Sequence, residues 1–319
     1  MNKKTVLSTV CAALTVIALI VACICLSEFS LSPLQKTTLD ILTVICVISM
    51  LYCFITGELT KNYSQMDKLW SLLPIVYSWI IAIKGGFGAR LTLFALIVTA
   101  WGVRLTVNFA RKGAYRLRFW DGKEDYRWKI VKASPAFKLP LAWTTFDLCF
   151  ISVYQNFLVL LICLPALACM GSNAPLGVID IIAAAFALGF LALETVSDEF
   201  QWKFHSEKQR LLDGGKQMSD LPRPYDLGFN TTGPWARMRH PNYLGDMGVW
   251  ASLYFFAVGA GAAKCGIFHP SMLGALLLVL LFMGSSALGE KISASKYPMF
   301  PEYARQVYKY LPAHKFERK

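Results

Sequence analysis

Arg239-His240-Pro241-Asn242-Tyr243-Leu244-Gly245-Asp246 runs without a break into the apolar stretch from Met247 to Ala263. A basic, imidazole-bearing, aromatic octet therefore stands where a polar loop enters a hydrophobic helix. Pro241 suits the first turn of that helix, because it has no N–H to leave unpaired. Charge is costly at bilayer depth, so ionisable residues retained there generally bind something or take part in chemistry. The octet reads as the mouth of a membrane helix able to hold an anionic ligand at the membrane surface. The chain then reads as an enzyme acting on a lipid-like molecule rather than as a passive anchor.

The surrounding sequence supports a membrane setting. Of 319 residues, 55% are hydrophobic and only 16% are charged, whereas soluble domains carry about 25% charged residues. Crossing roughly 30 Å of hydrocarbon takes about 20 apolar residues in a helix. Eight segments are expected to span: Val6–Leu26, Leu39–Gly57, Leu69–Ile83, Leu91–Phe109, Leu141–Met170, Leu176–Val196, Tyr243–Ala263 and Met272–Leu288. The third is short and carries Pro74, so the count is seven or eight. The fold class is thus an all-α polytopic helical bundle.

Cytoplasmic loops are enriched in Lys and Arg. With the N-terminus inside, inside segments carry 27 Lys and Arg and outside segments carry four, while Arg104 lies within a span. Both termini are therefore expected on the cytoplasmic side. The net charge of +12 reflects this topology, and its dispersal along loops argues against nucleic-acid binding. Lys3 and Lys4 before an apolar run also fit a signal peptide, and Ile20-Val21-Ala22-Cys23 resembles a lipoprotein cleavage site. The length of the run favours a retained helix. Most of the nine cysteines lie in apolar segments and read as small apolar residues. The four histidines show no ligand spacing, so no metal site is expected.

Residues 1–57 read as two plain helices, and 58–319 as the functional membrane region of one integral domain. In the fourth span Arg104, Asn108 and Arg111 fall on one helical face. In the loop that follows, Arg127 and Trp128 are either ligand contacts or part of an interfacial aromatic belt. The fifth span carries Asp147, Tyr154, Gln155 and Asn156, and for Gln155 and Asn156 interhelical hydrogen bonding suffices. The sixth carries the stripe Glu194, Asp198, Gln201, His205. His205 reads as a solvated helix end, whereas Glu194 faces the interior and needs a partner such as Arg239 or Arg104.

Within the octet, Arg239, with Arg237 and Lys203 nearby, can pair with phosphate. His240 adds a hydrogen bond, and Asn242 offers an amide able to read a nicotinamide or a ribose. Tyr243 can stack on a flat ring or donate its phenol proton, and Asp246 lies one turn deeper. The tail, with Lys296-Tyr297-Pro298, Tyr303 and Tyr308 to Pro312, is either a lid over this site or an amphipathic surface segment. No Walker or Rossmann fingerprint is present, so a nucleotide is not held by a soluble domain of those kinds.

The octet resembles the signature of the membrane Δ14- and Δ7-sterol reductases and the matching element of steroid 5-alpha-reductases. Glu194, Ser197-Asp198 and Gln201, the octet, Lys296-Tyr297-Pro298, Tyr303 and Pro312 together resemble the bacterial DUF1295 branch of that superfamily. Asn62-Tyr63-Ser64, Asp67, Leu69-Trp70-Ser71 and Glu124-Asp125-Tyr126-Arg127-Trp128 look like the same branch. The resemblance covers roughly residues 58–312. It implies a multi-helix protein of the bacterial inner membrane that binds NADPH on the cytoplasmic side. The implied reaction is reduction of a carbon–carbon double bond in a lipophilic, steroid- or isoprenoid-like enone. Carried over, Asp198, Arg239, His240, Asn242, Tyr243 and Asp246 line the cofactor site, with Tyr297 and Tyr303 near it. Glu194, Arg237 and Arg127 join as further cofactor candidates. The substrate-polarising acid is sought among Tyr243, Glu58, Asp67 and Tyr77. Expected partners are the lipophilic substrate and membrane lipids.

Two other readings stay open. Isoprenylcysteine methyltransferases, which use S-adenosylmethionine, share a related octet, but they usually show a Glu-Glu pair where this chain has Glu290-Lys291. A non-catalytic lipid-binding membrane protein is the third.

Overall fold

A computed structural model describes residues 30–263, 266–312 and 315–317. In chain order the helices are α1 (Pro33–Thr60), α2 (Gln65–Leu69), α3 (Leu73–Lys84), α4 (Ala89–Ala110), α5 (Tyr126–Lys132), α6 (Pro140–Ala168), α7 (Val178–Asp213), α8 (Pro241–Gly259), α9 (Met272–Lys296) and α10 (Phe300–Gln306), with no β-strand among the described residues. Helices α1, α4, α6, α7 and α9 are long and apolar enough to cross a membrane. The expected first span, Val6–Leu26, and the lipoprotein-like site lie outside the described residues. Helices α3 and α8 form where spans are expected but are not among the five. With 12 residues, α3 rises only about 18 Å.

The surface of α1 suits a hydrocarbon surrounding. Ser32 and Gln35 cap its start reciprocally, and Pro33 opens the first turn. Leu42, Cys46, Ser49, Cys53 and Gly57 face inward. Ile41, Val44, Ile48, Leu51, Ile55 and Leu59 are exposed. An exposed apolar stripe along a whole helix is untenable in water and natural in hydrocarbon.

The chain forms two compact units, 1–184 with 251–277, and 185–250 with 278–319. In the first, α3 packs on α4 and α6, and α1 lies along α6. Glycines permit close approach. A Cβ on Gly102 would stand 2.5 Å from the Ser71 carbonyl oxygen, and one on Gly274 would stand 2.4 Å from the Leu161 carbonyl carbon. Small residues of this kind are how membrane helices pack without a hydrophobic driving force between them. Arg90 is bound by both oxygens of Asp180 at 2.8 Å and donates to the carbonyls of Ala174, Pro175 and Gly259. This joins three helix ends through a fully partnered buried charge. Within α6, Asp147–Tyr154 widens to π-helical geometry.

In the second unit the tail is docked. Leu227, Phe229, Phe300, Tyr303, Val307 and Phe316 form a small apolar core. The Tyr297 ring lies over Gly228, at φ 78°, where any Cβ would stand 2.3 Å from ring carbon. Lys208 donates to the Gly228 carbonyl at 2.7 Å.

Candidate functional site

The octet sits in the second unit, at the start of α8 against the middle of α7. Gly245 makes that approach possible, since a Cβ there would fall 2.6 Å from the Glu194 Cβ and 2.8 Å from the Phe190 carbonyl. Gly248 meets the Phe190 ring in the same way. Three carboxylates, Glu194, Asp198 and Asp246, are buried on these two helices. Asn242 donates from Nδ2 to Asp198 Oδ1 at 3.1 Å. An ionised carboxylate only accepts, so the amide nitrogen faces it. Asn242 Oδ1 is left buried with no hydrogen-bond partner.

Arg239 is turned toward the tail. Its Nε donates to Glu290 Oε1 at 2.8 Å, and its Nη1 donates to the carbonyls of Ala304, at 2.7 Å, and Val307. His240 Nε2 meets the same Glu290 oxygen at 2.9 Å, and Lys309 lies 3.6 Å from the other. Backbone bonds parallel these contacts, from the Arg239 amide to the Tyr308 carbonyl and from His240 to Lys309. The Tyr303 hydroxyl donates to the Trp235 carbonyl at 2.5 Å, and burial pushes its pKa up. The His240 ring stacks on Tyr243 at 5.3 Å between centroids, and Tyr243 packs on Phe282. Glu290 thus organises the octet from 50 residues away, a role not expected from sequence. An acid near the end of the last apolar helix was the available signal. Of the two partners expected for Glu194, Arg239 and Arg104, the Arg239 guanidinium is taken by Glu290. Arg237 is exposed, and Lys203 is exposed beside Glu199 at 3.6 Å. Tyr297 stacks over Gly228 rather than on the octet.

The remaining candidates belong to the first unit, where the two motif segments interlock. Asn62 donates to the Gly122 carbonyl, the Tyr63 amide to Glu124, the Asp125 amide to Ser64, and Trp128 Nε1 to Asp67 Oδ2 at 2.9 Å. Arg127 forks onto Asp125 at 2.9 and 2.8 Å, beside the start of α5. Burial raises the Asp67 pKa, with Asp125 adding to it. For Asp125 burial acts in the same sense, but the Arg127 guanidinium outweighs it and the carboxyl lies below its usual range. Lys68, fully buried, donates to the carbonyls of Phe119 at 2.8 Å and Asp121 at 2.7 Å, and burial lowers it to about 8.

Glu58 accepts from Thr144 at 3.2 Å and pairs with Lys61 at 2.8 Å. The buried Tyr77 hydroxyl has no oxygen or nitrogen partner and lies beside the Cys46 thiol. Buried Asp147 touches Ser152 at 3.5 Å through one oxygen, while the other has no partner. Asn156, also fully buried, binds the Ser152 carbonyl at 2.7 Å and leaves its own oxygen bare. Interhelical hydrogen bonding, expected for Asn156 from the sequence, leaves its amide oxygen without a partner.

Residues 53–308 match the family described as "Protein of unknown function (DUF1295)". The curated "Uncharacterized protein C594.04c" of the fission yeast Schizosaccharomyces pombe is 33% identical over 286 residues, covering 83% of this chain and 79% of its own. That a yeast carries a relative means family membership alone does not assign the chain to bacteria. No solved structure matches.

Proposed function

The chain belongs to the DUF1295 family, and from that premise we propose that it is a membrane-embedded, NADPH-dependent reductase of a carbon–carbon double bond in a lipophilic enone. In this reading seven or eight helices cross the membrane and both termini face the cytosol, which the distribution of Lys and Arg supports. The observation that carries it is the half-satisfied amide of Asn242. A buried acceptor without a donor costs about 1–3 kcal/mol. A carboxamide or ribose hydroxyl supplies that donor, and a lipid tail does not.

The residues fit such a dinucleotide in a particular division of labour. Asn242 accepts from the ligand, and Asp198 fixes the orientation of its amide. The exposed cations Arg237 and Lys203 are available to phosphate oxygens. Arg239 and His240 act through Glu290, holding the tail against the start of α8. Tyr243, wedged between His240 and Phe282, offers a flat face and a phenol. The bound cofactor supplies the hydride. Negative charge then develops on the substrate carbonyl oxygen and needs a donor in a dry site. Of the candidates, Tyr243 is the one on α8 beside Asn242, within the second unit, and it carries a phenol. Glu58 and Asp67 already hold partners.

Comparing lipid extracts from cells lacking and overproducing the protein tests this. A pair of lipids differing by two hydrogen atoms, shifting in opposite directions, supports the reading. Methylated products accumulating instead would replace it with the S-adenosylmethionine reading.

A further inference from the structure

The contact between α1 and the π-helical part of α6, within the first unit, holds a carboxyl that the reductase reading does not use. Asp147 is 1% exposed, inside a helix long and apolar enough to span. Its Oδ2 faces Gly57, where a Cβ would stand 3.5 Å away, and has no hydrogen-bond partner. Its Oδ1 meets the Ser152 hydroxyl at 3.5 Å.

Charge and geometry specify what this carboxyl binds. The two cations whose field reaches it are engaged elsewhere. Lys61 is held by Glu58 at 2.8 Å. Lys132 donates to the Tyr63 hydroxyl at 3.1 Å and lies over the Tyr63 and Trp143 rings. A buried carboxylate without a counter-charge is strongly unfavourable, and such a group neutralises itself instead.

The backbone is arranged around this group. At 3.6 residues per turn, residues five apart stand roughly 140° apart around a helix. The i→i+5 bonding of Asp147–Tyr154 brings Asp147 and Ser152 onto one side, and such π-helical turns recur at functional sites. Deeper in the span, buried Asn156 donates to the Ser152 carbonyl at 2.7 Å and to Cys53 Sγ at 3.6 Å, and its bare oxygen continues the polar line. Outward, the line reaches the surface. Thr144, three residues before Asp147, donates to Glu58 at 3.2 Å. Glu58 follows Gly57 at the end of α1, and its side chain is 24% exposed. One contact between two helices thus carries a dry carboxyl and a wet one. Carboxyls inside a span that lead to the surface in this way are the pattern of a proton relay.

We infer that Asp147 carries an exchangeable proton inside the membrane, and that Glu58 passes it to and from water. In the outward step the Asp147 O–H bond breaks as an O–H bond forms on the Glu58 carboxylate, and Glu58 then releases the proton to water. The inward step is the reverse. The site stands independently of the reductase reading.

The test is infrared spectroscopy of the full chain in lipid nanodiscs at neutral pH, on transfer from H2O to D2O. The parent should show a carboxylic-acid band that D147N lacks, and that band should shift as deuterium exchanges in. E58Q should keep the band and exchange about 100-fold more slowly, the loss expected when a positioned proton-transfer group is removed. E317Q, which removes an exposed carboxylate in the tail, should exchange as the parent does. S152A should keep the band and move its frequency, which reads the same carboxyl without touching it. Identical bands in the parent and D147N, or an unmoved band in S152A, would overturn the proton. Exchange in E58Q at the parent's rate, or slowed equally in E317Q, would overturn Glu58 as the inlet. Loss of the parent's band on adding sodium chloride would replace the proton with a metal cation.

Discussion

Arg239 and Glu290 are joined at 2.8 Å, Nε to Oε1, with neither side chain more than a fifth exposed. The same guanidinium caps the carbonyls of Ala304 and Val307. The octet's first residue therefore clamps the tail to the start of α8. Removing one member of such a pair leaves the other charge half-buried and unpaired. Arg239→Ala should destabilise the apo protein by about 2 kcal/mol. Glu290→Gln should cost less, because the amide still bonds. Denaturation of both single variants and the double checks this, and a coupling energy near zero would contradict the clamp.

Gly245 and Gly189 make opposite predictions from the same substitution. A Cβ at Gly245 meets Glu194 at 2.6 Å, whereas one at Gly189 meets nothing within 4 Å. Gly245→Ala should cost about 1–3 kcal/mol through overpacking. Gly189→Ala should be neutral or stabilising by up to about 1 kcal/mol through helix propensity. Melting temperatures of the two variants decide it.

Lys68 makes stability depend on pH. Its folded pKa of about 8 lies below the ordinary 10.5 because of burial. Between those values the unfolded chain holds the proton and the folded chain does not, so unfolding takes a proton up. Its contribution to stability therefore rises with pH across that window, and below about 8 the charged form is carried at a cost. In Lys68→Met this slope should be absent, while stability falls because the carbonyls of Phe119 and Asp121 lose their donor. Parallel unfolding curves at pH 7.5 and 9.5, chosen to bracket roughly one end of the window, measure the difference.

Apolar length alone places α1, α4 and α6 close to where they lie, because hydrocarbon thickness fixes how many apolar residues a span needs. The same criterion stops short in α7. The expected span ends at Val196, but the helix continues to Asp213, since backbone hydrogen bonding outlasts apolarity. The polar stripe through Asp198 and His205 already carried that helical period. What the chain could not announce are contacts set by tertiary approach. Glu290 finds Arg239 across 51 positions, and Asp67 finds Trp128 across 61. Gly245 looks like any glycine until α7 is laid against it. The π-helical turn at Asp147 has no signature in apolar pattern either. The tail, read as a lid or a surface segment, instead carries its own apolar core, assembled from Leu227 and Phe229 as well as from the tail.

The central claim is that Asn242 receives a nicotinamide dinucleotide, and a thermal-shift titration of the purified chain tests it most directly. A ligand at 100 times its dissociation constant stabilises by about 2.7 kcal/mol. NADPH should raise the melting temperature more than NADH, because its additional phosphate can meet Arg237 and Lys203, and Asn242→Ala should abolish the shift while the apo protein still melts cooperatively. An Asn242→Ala protein that responds to NADPH as the parent does, or a parent stabilised by S-adenosylmethionine alone, would contradict it.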